Sequence, residues 1–409
     1  MSAPHILIAG GGMVGISLAL LLDRALPASA RITLVEGARL PEGSAAPYHP
    51  SFDARSTALS YSSAAIYRDL GLWEDLLPGL GPISTIHVSR RGRPGSTLLS
   101  AAQQGWDALG WVVENPCLGR CLLAALRRSE RIELRCPQRV VHGEAHDEGM
   151  RVRLDDEATL DCDLLVIADG AESSLRDQLA FLTRRTRYGQ DALIANLALE
   201  RDHGGCAYER FTDSGPLALL PLPPAPQAPS RMALVWTLPP EQALARRDCG
   251  AEEFAHEFIE AFGHRLGRLE RVGERACYAL SLVEAVEQVR RGCVVLGNAA
   301  HALHPVAGQG FNLALRDAHA LSARLGAAIE DGASPGSMAV LRRYAQERSA
   351  DQAQTIFASD SLPGLFMHSD PVLSLGRDLA LAGLDFLPFL RREFARQAAG
   401  MAALERAHD

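Results

Sequence analysis

Three features of the sequence predict an α/β protein with a discontinuous doubly wound domain, an inserted mixed β-sheet domain and a helical C-terminal tail. An apolar run, Ile6-Leu7-Ile8-Ala9, leads directly into Gly10-Gly11-Gly12-Met13-Val14-Gly15. A second apolar run, Asp163-Leu164-Leu165-Val166-Ile167-Ala168, ends in Asp169-Gly170. Between Tyr188 and Thr237 the texture changes to alternating and β-branched residues, broken by the prolines from Pro221 to Pro229, which marks a separate sheet-rich unit.

Taken in order, the first strand ends at Ala9. The glycines permit a tight turn and a close backbone approach to a pyrophosphate, with Gly12 expected at positive φ. The helix starting near Met13 aims its free N–H groups and positive dipole end at those phosphates. Ile16 to Leu22 supply its buried face. A strand over Arg31–Val35 then ends at Glu36, roughly 20 residues past the glycines and placed to accept hydrogen bonds from ribose hydroxyls. The uncharged stretch Ile6–Leu22 could instead be read as a membrane span, but four glycines and the strand–turn–helix setting oppose that. A polar Gly/Pro-rich stretch, Pro41 to Pro50, precedes a helix over Ser62–Leu70, a strand over Ile83–Val88 and basic turns from Arg90 to Arg93. Leu118–Arg128 is helical, with Arg120 near its start. Short strands at Ile132–Leu134 and Arg139–Val141 follow, then a hairpin of Met150–Leu154 and Ala158–Asp161. After the strand ending at Asp169-Gly170, a Ser/Arg turn opens a helix. Ala251–Leu269 reads as a helix, Cys293–Leu296 as the last core strand, and everything beyond Phe311 as helical. The expected division is 1–75, 105–182 and 277–355 for the nucleotide-binding, Rossmann-like domain, 76–104 and 183–276 for the insert, and 356–409 for the tail.

Composition narrows the function. A chain of 409 residues with 47% hydrophobic content can bury a large core. The net charge of −8 opposes nucleic acid as a partner. The eight cysteines are scattered without a CxxC pair, and Cys117 and Cys121 have no matching pair, so the thiols read as reduced and no metal set is indicated. The amino terminus lacks the basic region of a secretory signal. A cytoplasmic protein is expected, with a peripheral position on the inner membrane as the alternative.

A third glycine segment decides the cofactor. Gly297-Asn298-Ala299-Ala300-His301 runs on to His304-Pro305-Val306-Ala307-Gly308-Gln309-Gly310-Phe311-Asn312, a pattern that fits the ribityl chain and ring of a flavin. Together with the first motif, in this order and separation, it argues for FAD and against NAD as the tightly held cofactor. No second GxGxxG follows, so NAD(P)H is expected only as a transient visitor to a surface groove.

The trio Gly10-x-Gly12-x-x-Gly15, Asp169-Gly170 and Gly297-Asn298-Ala299-Ala300-His301 resembles the single-component FAD-dependent aromatic hydroxylases of the p-hydroxybenzoate hydroxylase class, to about residue 350. Finer marks resemble the ubiquinone-biosynthesis hydroxylases: Phe52-Asp53-Ala54-Arg55, Ala207-Tyr208-Glu209-Arg210-Phe211, Gly215 to Pro221, and His304 to Leu313 with Arg316-Asp317. Within these, the same residues resemble the 2-octaprenyl-6-methoxyphenol hydroxylase branch. The general class has Asp where Asn298 stands; Asn keeps an acceptor oxygen without the charge, and the resemblance to that branch includes it.

The resemblance implies a p-hydroxybenzoate hydroxylase-like fold and hydroxylation of a polyprenylated phenol through a flavin C4a-hydroperoxide, with NAD(P)H and O2. It implies cofactor contacts at Gly10, Gly12, Val14, Gly15, Glu36, Arg55, Arg120 (phosphates), Val140 (adenine, by backbone), Asp169, Gly170, Asn298, Pro305, Gly308, Gln309, Gly310, Phe311 and Asn312. Arg55, His304 and Pro305 are the expected catalytic positions; His301 and His304 can equally be packed loop histidines. Phe211 and Leu219–Pro221 either line the substrate face or form plain sheet core. Rival functions are a sister hydroxylase acting on another ring carbon, a flavoprotein that reduces isoprenoid double bonds, and a non-catalytic scaffold. In the tail, Leu375, Leu379, Ala382, Phe386 and Leu390 form one stripe, suited to packing on the protein itself, to self-association or a biosynthetic complex, or to a membrane surface.

Overall fold

The run His5–Ala9 is a central strand of a six-stranded sheet, and every one of its residues is buried. The sheet order is Val289–Arg290, Cys293–Val295, Leu164–Ile167, His5–Ala9, Arg31–Val35 and Ile132–Arg135. All pairings are parallel except that of the two-residue edge strand. Continuous apolar runs suit such strands because both faces are covered. On one face the helices Met13–Ala25, Asn115–Arg128 and Gln309–Glu330 pack around Ile6, Ile8, Leu164 and Val166. On the other, an antiparallel sheet of Val140–His146, Gly149–Leu154 and Thr159–Cys162 packs against Leu7, Leu165 and Ile167. The computed structural model describes residues 3–40, 55–92, 96–303 and 308–367.

The inserted segment forms a nine-stranded mixed sheet. Its main path runs His301–Ala302, Ala276–Ala285, Thr183–Leu199, Arg231–Leu238, Pro216–Leu222, Cys206–Phe211, Thr85–Arg90 and Ser96–Ser100, with Leu269–Val272 also pairing the long strand. One face is sealed by the helices Pro240–Asp248 and Ala251–Phe262, whose Phe254, Phe258 and Phe262 stack in series over Leu217, Leu219 and Trp236. The opposite face meets a small sheet of Ser56–Ser60, Gly110–Glu114 and Leu80–Ile83. That small sheet is the hinge of the architecture. Val113 and Leu59 face the nucleotide-binding core, whereas Val112 packs with Ala207, Leu222 and Ala233 of the large sheet.

Several elements differ from the sequence-based expectation. The helix expected to reach Leu269 stops at Phe262, because Gly263 turns the chain at φ +94° and Leu269–Val272 becomes a strand. Cys293–Val295 is not the last strand: His301–Ala302 adds two residues to the large sheet. The Ile83–Val88 segment divides between two sheets, as Leu80–Ile83 and Thr85–Arg90. The helix Met338–Met367 runs unbroken across the expected start of the tail at 356, tied in by Arg316 to Asp351 and Thr355 and by Tyr188 Oη donating to Asp360. The apolar stripe from Leu375 to Leu390 lies outside the described residues. Among the described residues no helix is long and apolar enough to cross a membrane.

Candidate active site

Three parallel strands end side by side. The Ala168 amide donates to Ala9 O, the Leu296 amide to Ile167 O, and the Gly10 amide to Val35 O, each at 2.8 Å. This places all three glycine motifs at the carboxyl edge of the sheet, the usual ligand crevice of open parallel sheets. Gly10 carries the strained turn, at φ +113°, and a side-chain carbon there would lie 2.4 Å from the Ala168 carbonyl oxygen. One at Gly15 would lie 1.9 Å from Gly10 O. Gly12 corrects the sequence expectation: it caps the helix at φ −69°, not at positive φ, and a side-chain carbon there would meet nothing within 4 Å. Its role is to leave space, not to permit a conformation. The helix start has no side-chain cap and no acidic residue in its first turn, so its N–H groups and dipole face that space.

The other predicted contacts assemble around the crevice. Glu36 reaches back over the turn, accepting from the Gly11 amide and the Ala38 amide, each at 2.6 Å. Val140 begins the strand behind this corner, with its side chain in the core. Arg120 sits half-buried on Asn115–Arg128, a helix packed against Met13–Ala25. Asp169 is exposed at the crevice mouth, yet the surrounding protein desolvates it and pushes its carboxyl pKa up, against the hydrogen bond from Ser173. Gly170 turns at φ +98°. Asn298 stands exposed between buried neighbours, Gly297 and Ala299, so its amide is presented to the crevice. Gly297 at φ +65° brings the third motif against the first: a side-chain carbon there would lie 3.2 Å from Val14 Cγ1.

At the far end, Gly308 at φ +61° begins the helix Gln309–Glu330, again with no side-chain cap and no acidic first turn. Gln309 and Gly310 form that first turn, and Phe311 packs into the nucleotide-binding core. The Asn312 side chain is spent on the protein itself. It donates to Ala58 O and Gly308 O and accepts from the Ser60 amide and Ser63 Oγ, all at 2.7–2.8 Å. It therefore fixes the loop and offers no side-chain contact to a cofactor. His304 and Pro305 lie outside the described residues. Arg55 is exposed, with its guanidinium 5.0 Å over the Tyr278 ring on the large sheet. His301 is a packed core histidine: Gln288 Nε2 donates to its Nε2 at 2.9 Å, and burial lowers its pKa. Leu219 packs under the phenylalanine helices, on the face away from the small sheet, while Phe211 and Leu220 lie on the near face.

Sequence reasoning missed three supports. Arg176 is fully buried and donates to Ala171 O and Ala299 O, tying the Asp-Gly turn to the third motif. Glu114 accepts from Arg231 and from Asn196, a buried pair joining the small sheet to the large one. Arg316, Asp317, Arg348 and Asp351 form a buried network between the last two described helices. No spacing signals the first two, since their partners meet only through the fold. Arg316-Asp317 was visible as a motif but not as a brace.

Two uncapped helix starts, an open glycine face, and the exposed Asp169 and Asn298 along one sheet edge fit an extended dinucleotide. Joined to a substrate sheet, this arrangement defines an FAD-dependent aromatic monooxygenase. Comparison with known proteins agrees. The model of the FAD binding domain family matches residues 4–359. The chain is similar to the ubiquinone hydroxylase UbiL of Rhodospirillum rubrum, 34% identical over 400 residues, covering 98% of this chain and 90% of the relative. It is 29% identical to the 3-demethoxyubiquinol 3-hydroxylase of Escherichia coli, over 97% of this chain and 98% of that one. The chain belongs to the FAD-binding family of ubiquinone-biosynthesis hydroxylases. It shares its fold with p-nitrophenol 4-monooxygenase PnpA from Pseudomonas putida, at TM-score 0.75 and 19% identity over 97% of this chain and 98% of that one.

Proposed function

We propose that this protein hydroxylates the ring of a polyprenylated phenol, 2-polyprenyl-6-methoxyphenol, in ubiquinone biosynthesis, using NAD(P)H and O2. The observation that carries the reading is the position of Gly308 against the small sheet. A side-chain carbon at Gly308 would lie 3.1 Å from Ala58 Cβ, and Ala58 pairs with Val112, which packs onto the large sheet. The helix start at the flavin end and the substrate sheet thus share one face of the small sheet. FAD, when bound, supplies the redox and oxygen chemistry. The chain's own contribution is to hold the ring carbon near that end, keep water out, and offer the N–H groups of Gln309–Glu330 to developing negative charge. Half-buried Ile194, Ala218, Val235 and Ala276 form an apolar shelf on this face, suited to a ring with an isoprenoid substituent. Similarity to a 3-demethoxyubiquinol 3-hydroxylase favours, as the second reading, a sister enzyme acting on another ring carbon.

Within this proposal Gly10, Gly12, Val14, Gly15, Glu36, Arg55, Arg120, Val140, Asp169, Gly170, Asn298, Gly308, Gln309, Gly310 and Phe311 remain the candidate cofactor contacts, Asn312 acts by bracing the loop, Arg55, His304 and Pro305 remain the candidate catalytic positions, and 356–409 is the candidate self-association or complex-forming tail. Deletion of the gene followed by mass spectrometry of quinone intermediates tests the function. Accumulation of 2-polyprenyl-6-methoxyphenol is expected. Accumulation of a later, already hydroxylated intermediate would move the enzyme to another ring carbon. Reduction of isoprenoid double bonds without oxygen uptake by the purified protein would overturn monooxygenation of this substrate.

A further inference from the structure

The large sheet carries one carboxylate that nothing in the fold explains. Glu209 lies on Cys206–Phe211 between Val88 and Ala218 on the neighbouring strands. Its Oε1 is enclosed, and among the described residues its side chain has neither a hydrogen bond nor an ion pair. The residue as a whole is half-buried, but enclosing a carboxylate oxygen unpaired is unfavourable, and carboxylates are seldom kept so without a use. Burial pushes its pKa up to about 7.

Its position supplies the use. Alternation along the strand puts Glu209 on the same face as Ala207, which packs with Val112 of the small sheet. Tyr208, pointing the other way, packs with the phenylalanine helices. Glu209 therefore faces the side that carries Ala58 and Gly308. The row across the sheet from it is Ala218, Val235, Ile194 and Ala276, all half-buried and apolar. Charged groups on this face include Arg90, opposite Phe211, Arg271, opposite Ala198, and the buried Glu114–Arg231 pair, which also bonds Asn196 and the Pro223 carbonyl. On the small sheet and the adjoining edge, Arg55 is engaged with Tyr278.

We propose that Glu209 receives the ring hydroxyl of the substrate, accepting the hydrogen bond that orients the ring on the shelf and taking the O–H proton as the ring is oxygenated. This rests on the phenol-hydroxylase reading above. As a ring carbon ortho or para to the hydroxyl forms its bond to the incoming oxygen, the O–H electron pair becomes the second bond of a C=O group. The proton passes to the Glu209 carboxylate. The oxygenated carbon then loses its hydrogen to water as a proton, aromaticity returns, and the Glu209 carboxylic acid restores the proton to the ring oxygen. The oxygen atom and the electrons come from the O2 and NAD(P)H of the monooxygenase reaction.

The test uses the FAD-loaded full chain with a short-chain 2-prenyl-6-methoxyphenol. Wild-type kcat/KM should rise about tenfold per pH unit up to about 7 and level above it. Glu209→Gln should keep its flavin content, lose roughly 100-fold or more in kcat/KM, and lose that limb. The substrate Kd, read from the change in flavin absorbance, should weaken as well. Glu209→Asp should recover part of the rate and the limb. Glu209→Met should raise the Tm at pH 8, since an unpaired buried charge is removed, while hydroxylation falls; this arm serves even where Gln disturbs folding. A Glu209→Gln enzyme with wild-type rate, Kd and pH profile overturns the Glu209 assignment alone. A wild-type enzyme that hydroxylates no prenylated phenol overturns the underlying function instead.

Discussion

Gly10 and Gly12 stand two residues apart in one motif, and the structure separates their roles sharply enough to measure. Gly10→Ala meets two obstacles: a φ of +113° and a carbonyl oxygen 2.4 Å from the new carbon. An unfavourable backbone conformation costs roughly 1–3 kcal/mol, and overpacking against backbone roughly as much again. The total, on the order of 2–6 kcal/mol, is a large share of a typical folding stability of about 5–15 kcal/mol. Gly12→Val meets neither obstacle, because φ is −69° and no atom lies within 4 Å. It loses only a modest capping preference, about 1 kcal/mol or less. The valine instead fills the space in front of the helix N–H groups. Losing two charge-assisted hydrogen bonds to phosphate, each worth about 1.5–3 kcal/mol, weakens FAD binding by roughly 10²–10⁴-fold. The assay is paired: thermal unfolding of the apoproteins, so that bound cofactor does not contribute to Tm, and titration with FAD by fluorescence quenching. Gly12→Val should melt within about 3 °C of wild type and fail to retain FAD. Gly10→Ala should melt clearly lower or fail to fold. A Gly12→Val protein with normal FAD affinity, or one destabilised as much as Gly10→Ala, refutes the reasoning.

Four further outcomes follow from the same geometry. Asn298→Asp should retain FAD, since the exposed position keeps an acceptor oxygen; a folded but colourless protein would show that the third motif does not meet the flavin chain. Asn312→Ala strands the buried Ser60 amide, at about 1–3 kcal/mol, and frees the half-buried Ala58 and Gly308 carbonyls at less, so denaturant titration should show a lower midpoint; an unchanged midpoint would count against its bracing role. Glu114→Ala leaves Arg231 fully buried without its carboxylate and should cost about 3–5 kcal/mol, read in the same titration, whereas a surface-like loss below 1 kcal/mol would contradict the burial. His301 has its folded pKa below the ordinary 6.5, so the unfolded chain binds the extra proton and stability is lost as pH falls through 6.5; His301→Gln should make that acid-side loss shallower, and an identical pH profile would refute it.

The parts legible in the sequence were those whose chemistry is local. Ile6 to Gly15, Asp163 to Gly170 and Cys293 to His301 each announce strand, turn and purpose within about a dozen residues, and the backbone follows them. What escaped was assembled from distance. Gly110–Glu114 is not among the expected strands despite the β-favouring Trp111-Val112-Val113, yet it is the middle of the small sheet that joins both halves. Glu114 has no reason to be noticed until Arg231 and Asn196 arrive from the other domain. Asn312 was legible as a motif residue but not in its role, because a side chain's partners are decided by the strand that folds against it. The same holds for Gly12, where the motif marked the position and only the backbone angle distinguished space from conformation.

That distinction carries the argument about Glu209. A sequence pattern marks Ala207 to Phe211 as a unit, and alternation alone cannot say which of its side chains matters. Tyr208 and Arg210 face the covered side, where aromatic packing and the Ala261 carbonyl satisfy them. Ala207 is committed to the packing between sheets. Glu209 remains as a carboxylate on the side facing the small sheet that the fold does not satisfy. A rise from the ordinary carboxyl value of 4.5 to about 7 corresponds to roughly 3 kcal/mol at most of stability forgone above neutral pH. The native state binds that proton more tightly than the unfolded chain, so this loss accrues as pH rises from about 4.5 through 7. Removing the carboxylate should therefore stabilise the protein most above about pH 7, the range in which the ionised Glu209 is able to take the phenol proton. Stability and activity should move in opposite directions at this one position, and a bracing residue such as Glu114 cannot do that.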